Sequence, residues 1–196
     1  MNLDICSKCS IYNDGLFTIG VRKTHKVSPR FIDNPERKQV LILAECPGEN
    51  EDLQNKVLVG RSGKLIDALL EESGLNKFNV RISNVVKCRI IRLIDGKYKN
   101  GNPTDEEIKC CSAYLQEEWD FKPDLIVLLG NSAIKAILPD KSPSLIRGKG
   151  QEICLGDKNT MVLPTLHPAA CLYNPSNRPT LLKHLVNAVT YLKSLS

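Results

Sequence analysis

The sequence predicts an α/β fold of three layers, with helices on both faces of a central four-stranded parallel sheet. Three observations carry that expectation. Short apolar runs at 39–44 (QVLILA), 124–130 (DLIVLLG) and 160–164 (TMVLP) are continuous rather than alternating, as in strands buried on both faces. Helical periodicities lie between them, and strands alternating with helices imply right-handed crossovers in a parallel sheet. A hydrophobic content of 42% with only 5% aromatics suits an aliphatic core, and 196 residues suit one domain spanning 1–196.

The run at 39–44 opens the sheet. A helix begins near Ser62, because Leu65, Ile66, Leu69 and Leu70 recur at helical spacing and Gly74 can close it. VRISNVVK (80–87) reads as the second strand. Turn signals at Asp95-Gly96 and Asn100-Gly101 make 90–104 a hairpin-like excursion or mobile loop. Thr104, followed by Asp105, Glu106 and Glu107, is an N-cap with an acidic first turn, opening a helix to about Trp119. The third strand is 124–130, a short helix follows at 131–138, the fourth strand is 160–164 and an amphipathic helix at 180–195 closes the chain. Residues 10–38 carry no clear signal. Ligands of such sheets bind outside the carboxyl ends of the strands, where ECPGENED, SNVVKC, GNSA and LHPAA all fall.

A net charge of +5 favours a polyanionic partner without requiring one. No apolar run approaches the roughly 18 residues that span a bilayer, and MNLDICSKCS lacks the apolar core of a secretory signal, so a soluble, cytoplasmic protein without membrane contact is expected. Eight cysteines are too sparse for a disulfide scaffold, which turns attention to metal. Cys6 and Cys9 form C-x2-C on a polar terminus; Cys88 and Cys111 are candidate partners, with Cys110 as a competitor. Spacing alone leaves zinc and an iron–sulfur cluster level. Cys154 is read as an ordinary small apolar residue. Four carboxylates, Glu45, Glu49, Glu51 and Asp52, gather at the mouth of the first strand.

Three segments, AECPGENEDLQNKVLVGRSGKLID (44–67), SNVVKCR (83–89) and LPTLHPAACLYNP (163–175), together resemble the family-4 uracil-DNA glycosylases, the iron–sulfur branch of that superfamily. The resemblance runs from about residue 40 to the C-terminus and includes the N-terminal C-x2-C. It implies hydrolysis of the uracil N-glycosidic bond in DNA, releasing free uracil and leaving an abasic site. It also implies a [4Fe-4S] cluster on Cys6, Cys9, Cys88 and Cys111, tying the segment 1–38 to a protein expected to act as a monomer. Asn84 matches the uracil reader, its amide oxygen accepting from N3–H and its NH2 donating to O4. His167 matches the donor to O2 as negative charge collects on the leaving base. Glu45 resembles the residue that positions or activates water, and Glu51 the one that excludes thymine's methyl. Cys46 and Gly48 lie in the turn beneath the base, and Leu58 stands at its apolar wall. DNA contacts fall to Gly60, Arg61, Ser62 and Gly63, to Asn131 and Ser132, and to Leu172 as a wedge or as a core residue. Glu49 and Asp52 are read as solvated turn or cap residues.

The chain departs from the family at several positions. Leu58 replaces a stacking aromatic, Ile90 and Ile91 replace two prolines, Leu93 stands where an asparagine assists the water, Ala44 replaces a glycine, and Tyr173 stands where arginine is common. Two alternatives accompany these departures: a glycosylase of deaminated purines, and a catalytically silent iron–sulfur DNA-binding protein.

Overall fold

The computed structural model describes residues 6–35, 38–155 and 158–195. One helical turn, α1 (Ser10–Asn13), precedes the short strand β1 (Arg30–Ile32), then β2 (Gln39–Ala44), α2 (Glu49–Gln54), α3 (Arg61–Ser73) and β3 (Asn79–Asn84). A ribbon of β4 (Ile91–Ile94) and β5 (Lys97–Asn100) leads to α4 (Asp105–Cys111), a 3-10 turn and α5 (Gln116–Trp119). The chain continues through β6 (Leu125–Leu129), α6 (Asn131–Ile137), α7 (Pro143–Ile146), β7 (Gln151–Leu155), β8 (Lys158–Thr165), α8 (Pro168–Tyr173) and α9 (Arg178–Ser194).

The main sheet has the order β1-β3-β2-β6-β8-β7. The four expected strands are its parallel centre, β3-β2-β6-β8, but the sheet is six-stranded because an antiparallel strand closes each edge. Neither edge strand was legible: β1 has three residues, and β7 alternates between half-buried and exposed positions. Cys154, expected as a small apolar residue, is exposed on β7.

Period-two alternation divides the core into two layers. Val40, Ile42, Val80, Ile82, Leu125 and Val127 pack with Ile66, Leu69 and Leu70 of α3 and Leu181, Leu185 and Leu192 of α9. Leu41, Leu43, Ile126, Leu128 and Val162 pack on the other face with Ile108, Leu115, Ala133 and Ile134. Helices therefore cover both faces, the three-layer arrangement expected.

Local sequence explains the element ends. Thr104 Oγ1 accepts from the Glu107 amide and Glu107 Oε2 accepts from the Thr104 amide, a reciprocal cap at the start of α4. The expected single helix from Thr104 to Trp119 is interrupted: after Cys111 the chain tightens into a 3-10 turn, which buries Tyr114 and Leu115 beside the cysteines. The excursion is a true ribbon. Asp95 and Gly96, at φ 52° and 71°, supply the two left-handed residues a tight hairpin requires, whereas Asn100-Gly101 lies at its base and makes no turn.

The N-terminal segment is pinned by two buried charges. Arg22, 1% exposed, donates to the carbonyls of Ile11 and Arg89 and to Asp14, joining α1 to the chain beyond β3. Asp52 was read as a solvated turn or cap residue, but it is buried in α2 and accepts from the amides of Lys23 and Thr24. Glu49 does remain exposed, reaching Arg89 at 3.3 Å.

Candidate active site

Because β2, β3, β6 and β8 are parallel, their carboxyl ends, Ala44, Asn84, Leu129 and Thr165, share one edge of the sheet. The loops leaving that edge carry most of the residues singled out in the sequence.

Asn84 is opposite Ala44 in the ladder, and the pairing continues past the strand ends: Val85 N donates to Ala44 O at 2.9 Å and Val86 N to Glu45 O at 3.0 Å. These bonds fix Asn84 beside the Glu45 turn. Asn84 is 2% exposed, and among the described residues its Nδ2 has no hydrogen-bond partner. Leaving a buried donor unsatisfied costs about 1–3 kcal/mol, so such a group in a well-packed fold calls for an explanation.

Glu45 bonds to Ser132 at the start of α6; burial raises its carboxyl above the usual range, and the Ser132 bond opposes the shift. Ser132 is thus engaged with the candidate catalytic carboxyl. Asn131 is exposed and accepts from Arg147 at 2.5 Å.

His167 caps α8. Its Nδ1 accepts the Ala169 amide at 3.2 Å, which places the proton of the neutral ring on Nε2. Burial lowers its pKa to about 4, only partly opposed by the Glu51 carboxylate. At neutral pH the ring is an uncharged Nε2–H donor. Gly130 explains how the ring fits: at φ 90° it lies so close that an added Cβ would be 3.0 Å from His167 Cβ.

Glu51 is 8% exposed, and its oxygens accept from the amides of Gly48 (3.1 Å), Val59 (2.9 Å) and Gly60 (2.7 Å). It clamps the turn after β2 to the loop before α3. The Gly60 amide is therefore occupied, which leaves Arg61 and Ser62 as the outward part of that helix start. Gly63 is a packing residue, because an added Cβ would meet the Leu58 carbonyl oxygen at 1.8 Å. Leu58 is buried with the α3-side core at a left-handed φ of 48°. Cys46 sits in the turn, its thiol pushed up to about 12 mainly by burial. Leu172 projects from α8 at 37% exposure, with Tyr173 beside it at 91%, so Leu172 is not a core residue.

On the far side of β3, Cys6, Cys9, Cys88, Cys110 and Cys111 line one small cavity of ≈ 20 Å³ together with Lys87 and Tyr114. Cys6 Sγ lies 3.0 Å from the Tyr114 hydroxyl, the Cys88 thiol donates to the His25 carbonyl, and Lys87 N donates to Cys111 Sγ at 3.4 Å. Burial raises the Cys88 and Cys111 thiols, the latter to about 11. Among the described residues no three ligating side chains meet closely enough to hold a metal ion. Behind the cysteines is a network that the sequence did not reveal. Glu118, 2% exposed, accepts from Ser83 (2.7 Å), Lys87 (2.5 Å) and Arg81 (2.6 Å). No helix among the described residues is long and apolar enough to cross a membrane.

Residues 31–193 match the uracil DNA glycosylase superfamily. A type-4 uracil-DNA glycosylase of Sulfurisphaera tokodaii is 38% identical over 152 residues, covering 74% of this chain and 66% of the relative. That of Thermotoga maritima is 36% identical over 159 residues, covering 79% and 78%, and that of Archaeoglobus fulgidus 33% identical over 162 residues, with the same coverage. The match takes in the carboxyl-edge loops described above, and the chain belongs to the uracil-DNA glycosylase superfamily, in its type-4 branch.

Proposed function

We propose that this chain excises uracil from DNA by hydrolysing its N-glycosidic bond, with Asn84, His167 and Glu45 as the working groups. The observation that carries the reading is the Asn84 amide: a buried donor without a partner among the described residues, at the ligand-binding edge of a parallel sheet. An extruded uracil satisfies it through O4, while the amide oxygen accepts from N3–H. Asn84 ends β3 and His167 lies two residues past the end of β8, and these outer parallel strands are three spacings of about 4.8 Å apart, or about 14 Å between backbones. In this reading the two side chains hold a pyrimidine between them.

As the bond breaks, charge gathers on the base, and the neutral Nε2–H of His167 donates to O2 where that charge develops. Glu45 orients a water toward the sugar C1′ and takes its proton. The hydroxyl joins C1′, the bonding electrons leave with the base, and protonation of the base completes free uracil and an abasic site. Glu51 excludes thymine's methyl indirectly, by holding Gly48 and the 58–60 loop in place. Arg61 and Ser62 meet phosphate, and Leu172 fills the gap left by the extruded nucleotide.

We assign Cys6, Cys9, Cys88 and Cys111 as the thiols that would hold a [4Fe-4S] cluster. The donors gathered there are all thiols, and Cys111 is buried where Cys110 is half-exposed. Bound there, the cluster supplies cross-linking rather than electrons, since hydrolysis transfers none. The residues themselves join the N-terminal segment, the end of β3 and α4.

The test uses single- and double-stranded oligonucleotides carrying uracil, hypoxanthine, xanthine or a thymine mismatch, with alkaline cleavage of abasic sites. Cutting at uracil alone, lost on His167→Ala, supports the proposal. Cutting at purine lesions, or binding without cutting, overturns it.

A further inference from the structure

We propose that the β4–β5 ribbon is a second DNA-contact element, taking the nucleotides that flank the extruded one; this rests on the glycosylase reading. The ribbon register sorts its side chains. Ile91, Leu93, Tyr98 and Asn100 share one face, and Arg92, Ile94, Lys97 and Lys99 the other. Ile91 is buried at the root of the first face, whereas farther out the directly paired Leu93 and Tyr98 are 66% and 48% exposed. A two-stranded ribbon is only marginally stable in water, and this one holds a leucine–tyrosine pair largely in solvent.

The other face is basic. Its three cations, Arg92, Lys97 and Lys99, meet two carboxylates: Lys99 reaches Asp95 at 3.6 Å and Arg92 is held by Glu107 at 2.6 Å. An aromatic for stacking on one face and lysines for phosphate on the other suit a ribbon that contacts nucleic acid on both sides. Position argues the same way. Asn100 Oδ1 accepts from Arg89 at 2.8 Å, Arg89 reaches Glu49, and the Gly101 carbonyl is 4.0 Å from Cys46 Sγ, so the ribbon springs from the turn that carries Glu45. Four residues per strand extend about 13 Å, roughly four stacked nucleotides along one strand.

The experiment compares wild type, Leu93→Ala/Tyr98→Ala and Lys97→Ala/Lys99→Ala in the full chain. The substrates are a long duplex with central uracil and a uracil trinucleotide too short to reach the ribbon. The apolar double variant is expected to raise KM on the duplex about tenfold. The lysine double variant is expected to flatten the salt dependence of log KM by about 1.8. Neither changes turnover of the trinucleotide, and melting temperatures stay level because all four side chains are exposed. Duplex kinetics and salt slope equal to wild type in both variants overturn the proposal and leave the ribbon to some other partner. If wild type releases no uracil from either substrate, the glycosylase reading has failed instead. The ribbon is then judged by duplex binding alone, where unchanged affinity and salt slope in both variants overturn it and losses support it.

Discussion

Replacing His167 by alanine and, separately, by asparagine tests the site because the ring does two jobs with two nitrogens. Nδ1 accepts the Ala169 amide and caps α8, while Nε2 carries the proton offered to the base. Both substitutions remove the Nε2 donor, and each should lower kcat by about two to three decades, or about 2.7–4 kcal/mol of transition-state stabilisation. Only alanine also loses the cap, at about 1 kcal/mol, because asparagine offers an acceptor of its own. For a chain of this size that loss lowers Tm by about 2–4 °C, and asparagine should melt near wild type. The pH profile adds a second constraint. With a pKa of about 4, His167 is only about 1% protonated at pH 6, so it contributes no acid limb above about pH 5. The acid limb belongs to Glu45, which works ionised and whose carboxyl burial raises; activity should fall with pH earlier than for an ordinary carboxylate near 4.3, and Glu45→Gln should abolish the limb. Single-turnover rates from pH 4.5 to 8, with melting curves, provide the measurement. A wild-type limb near pH 6.5 that disappears in both His167 variants refutes the neutral-donor reasoning. So does an alanine variant retaining more than a tenth of wild-type kcat.

Three further outcomes follow from the same geometry. Asn84→Asp replaces the unpartnered Nδ2 donor by an oxygen facing O4, and should cut kcat/KM on uracil DNA at least about a hundredfold while duplex binding holds; loss of binding in parallel would instead mean a folding defect. Cys111→Ser should lower bound iron and sulfide and lose the visible absorption of the purified protein, whereas Cys110→Ser should retain both; equal loss would overturn the choice of Cys111 over Cys110. Glu118→Gln leaves the Lys87 ammonium buried beside a neutral amide and should cost about 3 kcal/mol, seen as a drop of about 6–12 °C in Tm. Burial alone would raise the Glu118 carboxyl, but Lys87, Ser83 and Arg81 hold it below the usual range. Its contribution is therefore present above the unfolded carboxylate value and lost as pH falls through the depressed one, so the variant and wild type should converge in acid.

What could be read beforehand depended on how each segment is buried. β2 and β6 lie in the middle of the sheet, so beyond Gln39 every residue on both faces is apolar and the run shows itself. α2 was invisible because its buried residues are Glu51 and Asp52, which satisfy backbone amides of other segments instead of joining the core, and no apolar period records that. β7 and the three-residue β1 give too little pattern to stand out from loop. Asn84 and His167 were legible through the motifs around them. The motifs did not disclose that the histidine's second nitrogen is committed to α8, or that a lysine–glutamate pair is sealed behind the cysteines. Those facts depend on partners 2 and 31 positions away, whose proximity only the folded backbone creates.

The guanidinium of Arg22 has a practical corollary for anyone trimming the gene. Similarity to the superfamily begins at residue 31, which invites an expression clone starting there. Such a clone would discard Arg22, Ile11 and two of the sulfurs, strip the Arg89 carbonyl of its donor and open the layer beneath Ile108 and Tyr114 to water. Stable expression is therefore expected to need residues well upstream of the first one the family match covers.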